Sequence, residues 1–177
     1  MLQLEKIKLL ALDVDGVLTD GTINIGSSGE VFKGFNAKDG LGISCALRYG
    51  VEVAIITGRF SDIIHRRAAE LGIKYLYEGV RDKYAALEKL RKELKLEQQE
   101  VAYMGDDLND LPAFKAAGLA FAPADAVAEV AAAAHIVTAA CGGRGAVREA
   151  AELLLKAQGS WEKAVASYQE CGQGDRQ

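Results

Sequence analysis

Short apolar runs alternate along the chain with stretches in which apolar residues recur at helical spacing. The apolar runs predict strands at about 7–12, 51–56, 73–77, 100–104, 119–122 and 135–138. Between the strands, the pattern predicts helices at about 39–49, 61–71, 82–95, 110–117, 125–133 and 144–157. Apolar strands joined by helices indicate an α/β fold, with a mostly parallel sheet covered by helices on both faces.

Two segments depart from this alternation. Residues 22–35, TINIGSSGEVFKGF, are two alternating stretches around GSSGE and predict a β-hairpin inserted after the first strand. Residues 161–177 become polar and rich in glycine and glutamine, which predicts a mobile C-terminal tail. The 177 residues suffice for one domain with a sizeable core, and we assign that domain to residues 1–160.

Composition narrows the classes of function. The chain has 21 basic and 25 acidic residues, so it lacks the basic bias typical of nucleic-acid binding. No stretch approaches the roughly 18 consecutive apolar residues of a membrane span, and the N-terminus does not resemble a signal peptide. The three cysteines are widely spaced and form no CxxC pair, which fits a reducing compartment. We expect a cytoplasmic protein that binds neither nucleic acid nor a membrane.

Acidic residues gather after two of the predicted strands. Asp13 and Asp15 follow the first strand, and Asp106, Asp107 and Asp110 follow the fourth. Ligands of open parallel sheets bind beyond the carboxyl ends of the strands, and carboxylate oxygens there suit Mg²⁺. Alternatively, GDDLND only places acids at a helix N-terminus, where they favour the helix dipole. That alternative leaves the first pair of acids unexplained, because a hairpin and not a helix follows them.

Other polar residues follow the remaining strands. Thr57 supplies a hydroxyl, Gly58 allows close backbone approach, and Arg59 adds a guanidinium suited to a phosphate or carboxylate. Lys83 follows the third strand, at the start of a predicted helix. A single lysine there is ordinarily a solvated surface charge. These residues become candidate site residues because they occur at the ends of successive strands.

In combination, these motifs resemble those of the haloacid dehalogenase superfamily of Mg²⁺-dependent phosphohydrolases. DVDGV matches the DxDx[TV] signature of that superfamily, and Thr57, Lys83 and GDDLND match its second, third and fourth motifs in order. The resemblance spans roughly residues 7–111. It implies a Rossmann-like fold, in agreement with the α/β pattern.

The resemblance also implies the roles of individual residues. Asp13 would be the nucleophile that forms an aspartyl-phosphate, and Asp15 would be the general acid and base. Asp13, the backbone carbonyl of Asp15 and Asp106 would hold Mg²⁺. Thr57 and Lys83 would bind the phosphoryl oxygens.

Two further acids of GDDLND have supporting roles in this scheme. Asp110 would support the metal ligands from behind. Asp107 would either bind the metal directly or orient Lys83.

The spacing of the motifs leaves no room for a cap domain over the site. Forty-one residues separate Asp15 from Thr57, which the hairpin, one helix and one strand fill. Only 25 residues separate Thr57 from Lys83, enough for one helix and one strand. Capless relatives either act on large substrates or close the site with another subunit.

Longer stretches are similar to one family within this superfamily, the 3-deoxy-D-manno-octulosonate 8-phosphate phosphatases. They are GFNAKDGLGI, AIITGR, MGDDLNDLP and GGRGAVREAAELLLKAQG. The resemblance implies hydrolysis of a phosphorylated keto-deoxy sugar acid used for lipopolysaccharide, by a cytoplasmic homotetramer. The substrate contacts of that family map onto Asp15, Asn36, Ala37, Lys38, Asp39, Gly40, Thr57, Gly58, Arg59, Arg67 and Lys83.

Several alternatives stay open. Ser44 stands where that family carries an arginine, so the related phosphatases of the nine-carbon keto-deoxy-nononate 9-phosphate remain competitors. Arg67 could simply solvate a helix face, and Asp39 could be only a helix cap. A phospho-accepting receiver domain, which is a switch and not an enzyme, also gathers Asp, Thr and Lys at strand ends. Its acids follow different strands, however, so a catalytic phosphatase is favoured.

Overall fold

The computed structural model describes residues 2–27 and 29–170, which fold as a parallel sheet with helices on both faces and a projecting hairpin. The strands are β1 (Leu9–Leu12), β2 (Asn24–Gly26), β3 (Gly29–Phe32), β4 (Glu52–Ile56), β5 (Tyr75–Tyr77), β6 (Val101–Met104), β7 (Leu119–Ala122) and β8 (Ile136–Val137). The α-helices are α1 (Ala37–Arg48), α2 (Asp62–Leu71), α3 (Lys83–Glu93), α4 (Leu111–Ala116), α5 (Ala128–Ala133), α6 (Ala146–Ala157) and α7 (Trp161–Gln169). Short 3-10 helices occupy Leu4–Lys6, Gln98–Glu100 and Leu108–Asp110.

The main sheet has the strand order β5-β4-β1-β6-β7-β8, and every neighbouring pair is parallel. β1 lies between β4 and β6, so Leu12 is in register with both Ile55 and Met104. The amide of Asp13 continues this ladder by donating to the carbonyl of Met104 over 3.0 Å. The polar segments that follow β1, β4 and β6 therefore meet at one edge of the sheet.

Both faces of the sheet are buried, which explains why its strands are apolar throughout rather than alternating. Leu10 and Leu12 of β1 face a core cluster formed with α1, α2, α6 and α7. Leu9 and Ala11 face a second cluster formed with α3, α4 and α5. Each fully buried leucine side chain contributes about 1.5–3 kcal/mol relative to exposure. This packing fixes the ends of β1, from which the acidic pair emerges.

Helix caps determine where the site residues begin. The Ser61 side chain accepts from the Ile64 amide at the start of α2, and Gly72 ends that helix with a φ of 74°. The Asp82 side chain accepts from the Ala85 amide at 2.9 Å, which makes Lys83 the first residue of α3. The lysine therefore starts at the same sheet edge as the acids.

The sequence predictions agree with this architecture except at the C-terminus. The α/β class, the parallel sheet and the hairpin, which spans residues 24–32, are confirmed. The prediction of a mobile tail from residue 161 is wrong for residues 161–169, which form α7. Ala164 is buried in the core, and the Trp161 ring lies 4.9 Å from the guanidinium carbon of Arg148. Residues 171–177 of the predicted tail lie outside the described residues.

Among the described residues, no helix is both long enough and apolar enough to cross a membrane.

Candidate active site

A cavity of about 240 Å³ lies at the carboxyl ends of β1, β4 and β6. Its walls are formed by Asp13, Asp15, Gly21, Thr57, Gly58, Arg59, Asp106, Asp107 and Asn109. The fold thus brings together, at one opening, residues from three motifs that are far apart in the sequence.

Asp13 and Lys83 form an ion pair at the base of this cavity. Lys83 Nζ lies 2.9 Å from Asp13 Oδ2, and both side chains are almost entirely buried. Burial, followed by repulsion from Asp110, raises the pKa of Asp13 to about 6, although Lys83 acts in the opposite direction. Burial alone would lower the pKa of Lys83, but its two carboxylate neighbours raise it instead, so the ammonium stays charged.

Asp110 supports this pair from behind. Its Oδ1 accepts from Lys83 Nζ at 2.6 Å and from the Tyr103 hydroxyl at 2.7 Å. Its Oδ2 accepts from the backbone amides of Asp106 and Asp107. Each oxygen of Asp110 therefore already accepts two hydrogen bonds from the protein. Support of the metal ligands by Asp110 stays a prediction.

Asp107 occupies a different position from Asp110. Its Oδ1 accepts from the Leu108 amide at 2.7 Å, which caps the short 3-10 helix Leu108–Asp110. The sequence left open whether Asp107 orients Lys83. In the structure the contact with that lysine belongs to Asp110.

Asp15 has its carboxylate held by two cations. Oδ1 lies 2.5 Å from Lys33 Nζ, and Oδ2 lies 3.7 Å from Arg59 Nε. Lys33 comes from the hairpin, whereas Arg59 follows β4. The Asp15 carboxylate is not among the described acids whose oxygens lie within 4.8 Å of one another, which are those of Asp13, Asp106 and Asp110.

The segment after β4 is held by its own hydrogen bonds. The Thr57 amide donates to the carbonyl of Tyr77, and the Thr57 carbonyl accepts from the Val80 amide. The Thr57 hydroxyl accepts from the Arg59 amide at 3.4 Å. Thr57 is buried, with its position fixed by β5 and the loop that follows, so its hydroxyl is a rigid donor at the cavity wall.

The acids fit a hard divalent cation such as Mg²⁺. One oxygen each from Asp13, Asp106 and Asp110 lie within 4.8 Å of one another. Asp106 Oδ1 is buried and has no hydrogen-bond partner, and burial with nearby acids raises the pKa of Asp106 to about 7. An orphaned carboxylate oxygen in such a place is stabilised by a cation. Asp110 is already saturated, so Asp13 and Asp106 are the side chains that fit the metal.

Two glycines permit the close approach of loops around these acids. Gly16 has a φ of 90°, and an added Cβ there would lie 2.0 Å from Asp106 Oδ2. Gly142, from the GGRG stretch, lies against the same loop, since an added Cβ would be 1.8 Å from the Gly16 carbonyl oxygen. GGRG thus packs directly on the segment after β1, although it is distant in sequence.

Two of the remaining predicted substrate residues, Ala37 and Arg67, line a second cavity. It has a volume of about 360 Å³ and is lined by Lys33, Phe35, Ala37, Ile63, Arg66, Arg67 and Glu70. The Arg67 guanidinium lies 5.6 Å from the Phe35 ring centre and packs beside Gly40. Among the described residues that line the first cavity, none comes from the run 36–40. A direct contact of these residues with substrate stays a prediction.

Asn36 and Asp39 have clear structural partners. The Asn36 side chain accepts from the Lys38 amide at 2.8 Å and caps α1. Asp39 is buried, and its carboxylate accepts from the amides of Gly145 and Arg148. It therefore caps the start of α6 rather than its own helix, which the sequence did not predict.

Sequence reasoning missed three side chains of this region. Lys33 and Glu30, in and beside the hairpin, form an ion pair with 2.9 Å between Nζ and Oε1. The third is Tyr103 of β6, whose hydroxyl donates to the Asp110 carboxylate. Tyr103 is wholly buried in an otherwise apolar strand, and a buried hydroxyl requires a partner. That requirement is the one signal that could have identified it. Nothing local in the sequence places Lys33 beside Asp15.

Comparisons with known proteins agree with the motifs. Residues 77–145 match the haloacid dehalogenase-like hydrolase family. The 3-deoxy-D-manno-octulosonate 8-phosphate phosphatase of Escherichia coli (strain B / BL21-DE3) is 49% identical over 164 residues, which cover 93% of this chain and 87% of the relative.

Solved structures extend the similarity to three dimensions. The 3-deoxy-D-manno-octulosonate 8-phosphate phosphatase of Moraxella catarrhalis, in complex with magnesium ion, phosphate ion and KDO, matches with a TM-score of 0.91 and 43% identity. That match covers 94% of this chain and 95% of the other. The cobalt-bound phosphatase of Haemophilus influenzae matches with a TM-score of 0.88 and 44% identity, over 90% of this chain and 93% of the other. This chain belongs to the 3-deoxy-D-manno-octulosonate 8-phosphate phosphatase family of haloacid dehalogenase-like hydrolases.

Proposed function

We propose that the protein hydrolyses 3-deoxy-D-manno-octulosonate 8-phosphate to the free sugar acid and phosphate, a step of lipopolysaccharide sugar synthesis. The observation that carries this proposal is the placement of Asp13, paired with Lys83, beside the orphaned oxygen of Asp106. A nucleophilic carboxylate, a fixed ammonium and a cation site at one cavity suit phosphoryl transfer. The E. coli relative, at 49% identity, bears the name of this activity.

In the first step, an Asp13 oxygen attacks phosphorus and the bond from phosphorus to the sugar oxygen breaks. Asp15 gives its proton to the departing oxygen, so that the sugar leaves as an alcohol. The product on the enzyme is an aspartyl-phosphate at residue 13. Lys83 stays bonded to Asp13 Oδ2 and neutralises charge that accumulates on the phosphoryl group.

In the second step, Asp15 takes a proton from a water molecule, which attacks phosphorus. The bond between phosphorus and the Asp13 oxygen breaks, and free phosphate leaves. Asp15 regains the protonated state in which the first step began, so no further acid or base is required. The Thr57 hydroxyl donates a hydrogen bond to a phosphoryl oxygen in both steps.

Mg²⁺ fits this site as the cofactor. Asp13, the backbone carbonyl of Asp15 and Asp106 would hold it. When bound, it supplies positive charge beside the phosphoryl oxygens. The Asp110 carboxylate accepts from the backbone amide of Asp106. It thereby holds Asp106 in place without contacting the cation.

The substrate also has a carboxylate and several hydroxyls, for which the chain offers cations. Arg59 lines the first cavity, and Arg67 lines the second. We also propose that the protein assembles as a homotetramer. Ile25, Val31 and Phe32 of the hairpin are 70%, 58% and 57% exposed, which supports assembly through the hairpins. Native mass spectrometry tests this, and a monomer at working concentration would contradict it.

We place the reaction in the cytoplasm. Cys45 and Cys141 are free thiols, which suits a reducing compartment. Fractionation of cells that express the full chain tests this placement.

The direct test is phosphate release with Mg²⁺ from octulosonate 8-phosphate and nononate 9-phosphate at equal concentration. Asp13→Asn provides the blank. Faster release from the eight-carbon substrate, lost in the blank, is expected. Ser44 lacks the cation that this family carries at its position, so the nine-carbon substrate is the pertinent competitor. The reverse preference would assign the chain to nononate 9-phosphate, and no release from either would contradict the proposal.

A further inference from the structure

Lys33 is a buried cation to which the proposed reaction assigns no role. It follows β3 directly, and only 2% of its side chain is exposed. A buried ammonium is costly unless it is paired, and Lys33 is paired twice. Its Nζ lies 2.5 Å from Asp15 Oδ1 and 2.9 Å from Glu30 Oε1. The hairpin therefore brings a cation into contact with the residue that transfers protons.

Glu30 links Lys33 to the start of α2. Its Oε1 accepts from Lys33, and its Oε2 accepts from the hydroxyl of Ser61, the N-cap of α2. Two residues before Ser61, Arg59 reaches Asp15 Oδ2. Lys33, Glu30, Ser61 and Arg59 thus form a ring that closes on the two oxygens of Asp15.

We propose that Lys33 and Glu30 are positioning residues that hold the Asp15 carboxyl group in the orientation needed for proton transfer. The inference rests on the proposed function. Lys33 contacts Oδ1 at 2.5 Å, whereas Arg59 lies farther from Oδ2, at 3.7 Å, so we assign Oδ2 as the oxygen that carries the proton to the departing sugar oxygen. Lys33 itself transfers no proton: the proton moves from Asp15 Oδ2 to the leaving oxygen while the contact at Oδ1 persists.

The orientation matters because a carboxyl group can rotate about its Cβ–Cγ bond. Without Lys33, only the 3.7 Å contact of Oδ2 with Arg59 would remain, and either oxygen could face the cavity. A misplacement of 1 Å in a reacting group can reduce a rate by about 100-fold. We call the Lys33–Glu30 pair the clamp. Its loss should therefore reduce the general-acid assistance that Asp15 gives, and leave attack by Asp13 unaffected.

Leaving groups that differ in their need for a proton distinguish this role from a merely structural one. We would measure kcat/KM with saturating Mg²⁺ for a series from 4-nitrophenyl to 4-methoxyphenyl phosphate, since kcat/KM reports the step in which the aryl oxygen leaves. In Lys33→Met, the methoxyphenyl ester should react about 10- to 100-fold more slowly, while the nitrophenyl ester changes by less than about 3-fold. The dependence on the leaving group thus becomes steeper than in the wild type.

Three further variants keep the test decisive. Lys33→Met/Glu30→Gln removes both charges of the pair, so it shows the same steep dependence even where the single variant folds poorly. Lys33→Arg retains a donor and should recover most of the wild-type slope. Asn24→Ala removes a hairpin hydrogen bond to Phe32 and touches none of the ring, so any loss there should be equal for all esters.

The outcomes separate this inference from the proposed function. A steeper slope in both Met variants, with recovery in Lys33→Arg, supports the clamp. An equal fall across the series in folded variants overturns it, because the pair would then act only on structure. A wild-type protein that is inactive towards every ester contradicts the phosphatase activity itself, and with it the clamp.

Discussion

Lys83 and Asp110 form a buried ion pair, with 2.6 Å between Nζ and Oδ1 and no more than 2% of either side chain exposed. The same ammonium reaches Asp13 at 2.9 Å. One lysine thus neutralises two carboxylates that would otherwise repel each other in a poorly solvated place. This arrangement allows Asp13 to be buried as a carboxylate, which the proposed role as nucleophile requires.

Replacement of Lys83 should affect stability and catalysis together. In Lys83→Met, two buried carboxylates lose their cation, and unfolding should become easier by about 3–5 kcal/mol. Phosphate release should fall by about 10²- to 10³-fold, since a fixed donor at the reacting group is lost. Denaturant titration and steady-state assays check the two effects. Lys89→Met, on the exposed face of α3, is the matched control and should change neither by much. Wild-type turnover in Lys83→Met would contradict the assignment.

Asp106 should determine the affinity for divalent cations. Asp106→Asn replaces an ionised ligand by a neutral one, so we expect Mg²⁺ to bind at least about 10-fold more weakly by calorimetry. Asp107→Asn is the control, because Asp107 serves as a cap and an asparagine can cap equally well. Equal weakening in both variants would show that general negative charge, and not ligation, holds the ion.

Gly16 should be intolerant of any side chain. In Gly16→Ala the new Cβ would lie 2.0 Å from Asp106 Oδ2, at a φ of 90°. We expect metal binding and phosphate release to be lost in a protein that still folds. Gly29→Ala is the matched control, since its φ is 115° but nothing lies within 4 Å of an added Cβ. It should lose about 1 kcal/mol of stability and retain metal binding. Metal binding by Gly16→Ala at wild-type strength would contradict this geometry.

Stabilisation by Mg²⁺ should depend on pH. Burial and neighbouring acids raise the pKa of Asp106 to about 7 and that of Asp13 to about 6 in the metal-free protein. Between the ordinary value of 3.8 and these values, the folded state binds more protons than the unfolded chain, so metal-free stability falls as pH rises. Mg²⁺ requires the deprotonated acids, so bound protons oppose it at low pH.

The rise in Tm on addition of Mg²⁺ should therefore be larger at about pH 8 than at about pH 5.5. Thermal unfolding at both values, with and without the ion, measures it. Asp106→Asn should lose most of the difference. An equal rise at both pH values would contradict the proton competition.

The architecture was accessible from the sequence because the signals for it are local. Apolar runs bounded by glycine and capping residues predict strands and helices directly, and β7 falls at 119–122 as predicted. The α7 helix was missed because the glycine and glutamine content beyond it obscured its spacing. Trp161, Ala164, Val165 and Tyr168 in fact recur at helical intervals.

The site was only partly accessible, since its finer contacts depend on tertiary structure. The motifs identified Asp13 and Lys83, which a parallel sheet must bring to one edge. Three acids lie within the six residues of GDDLND, and only the cap geometry shows that Asp107 faces its own backbone while Asp110 contacts the lysine. Lys33 was missed because it reaches Asp15 only once the hairpin folds back.

The proposed mechanism depends on Asp13 as the nucleophile that carries the phosphoryl group. Its most direct test is to quench turnover of octulosonate 8-phosphate with Mg²⁺, reduce the protein with borohydride, and locate the reduced residue by peptide mass spectrometry. We expect residue 13 to be reduced to homoserine, and we expect this product to be absent without substrate and in Asp13→Asn. Turnover with residue 13 unmodified, or a reduced acid at another position, would contradict it.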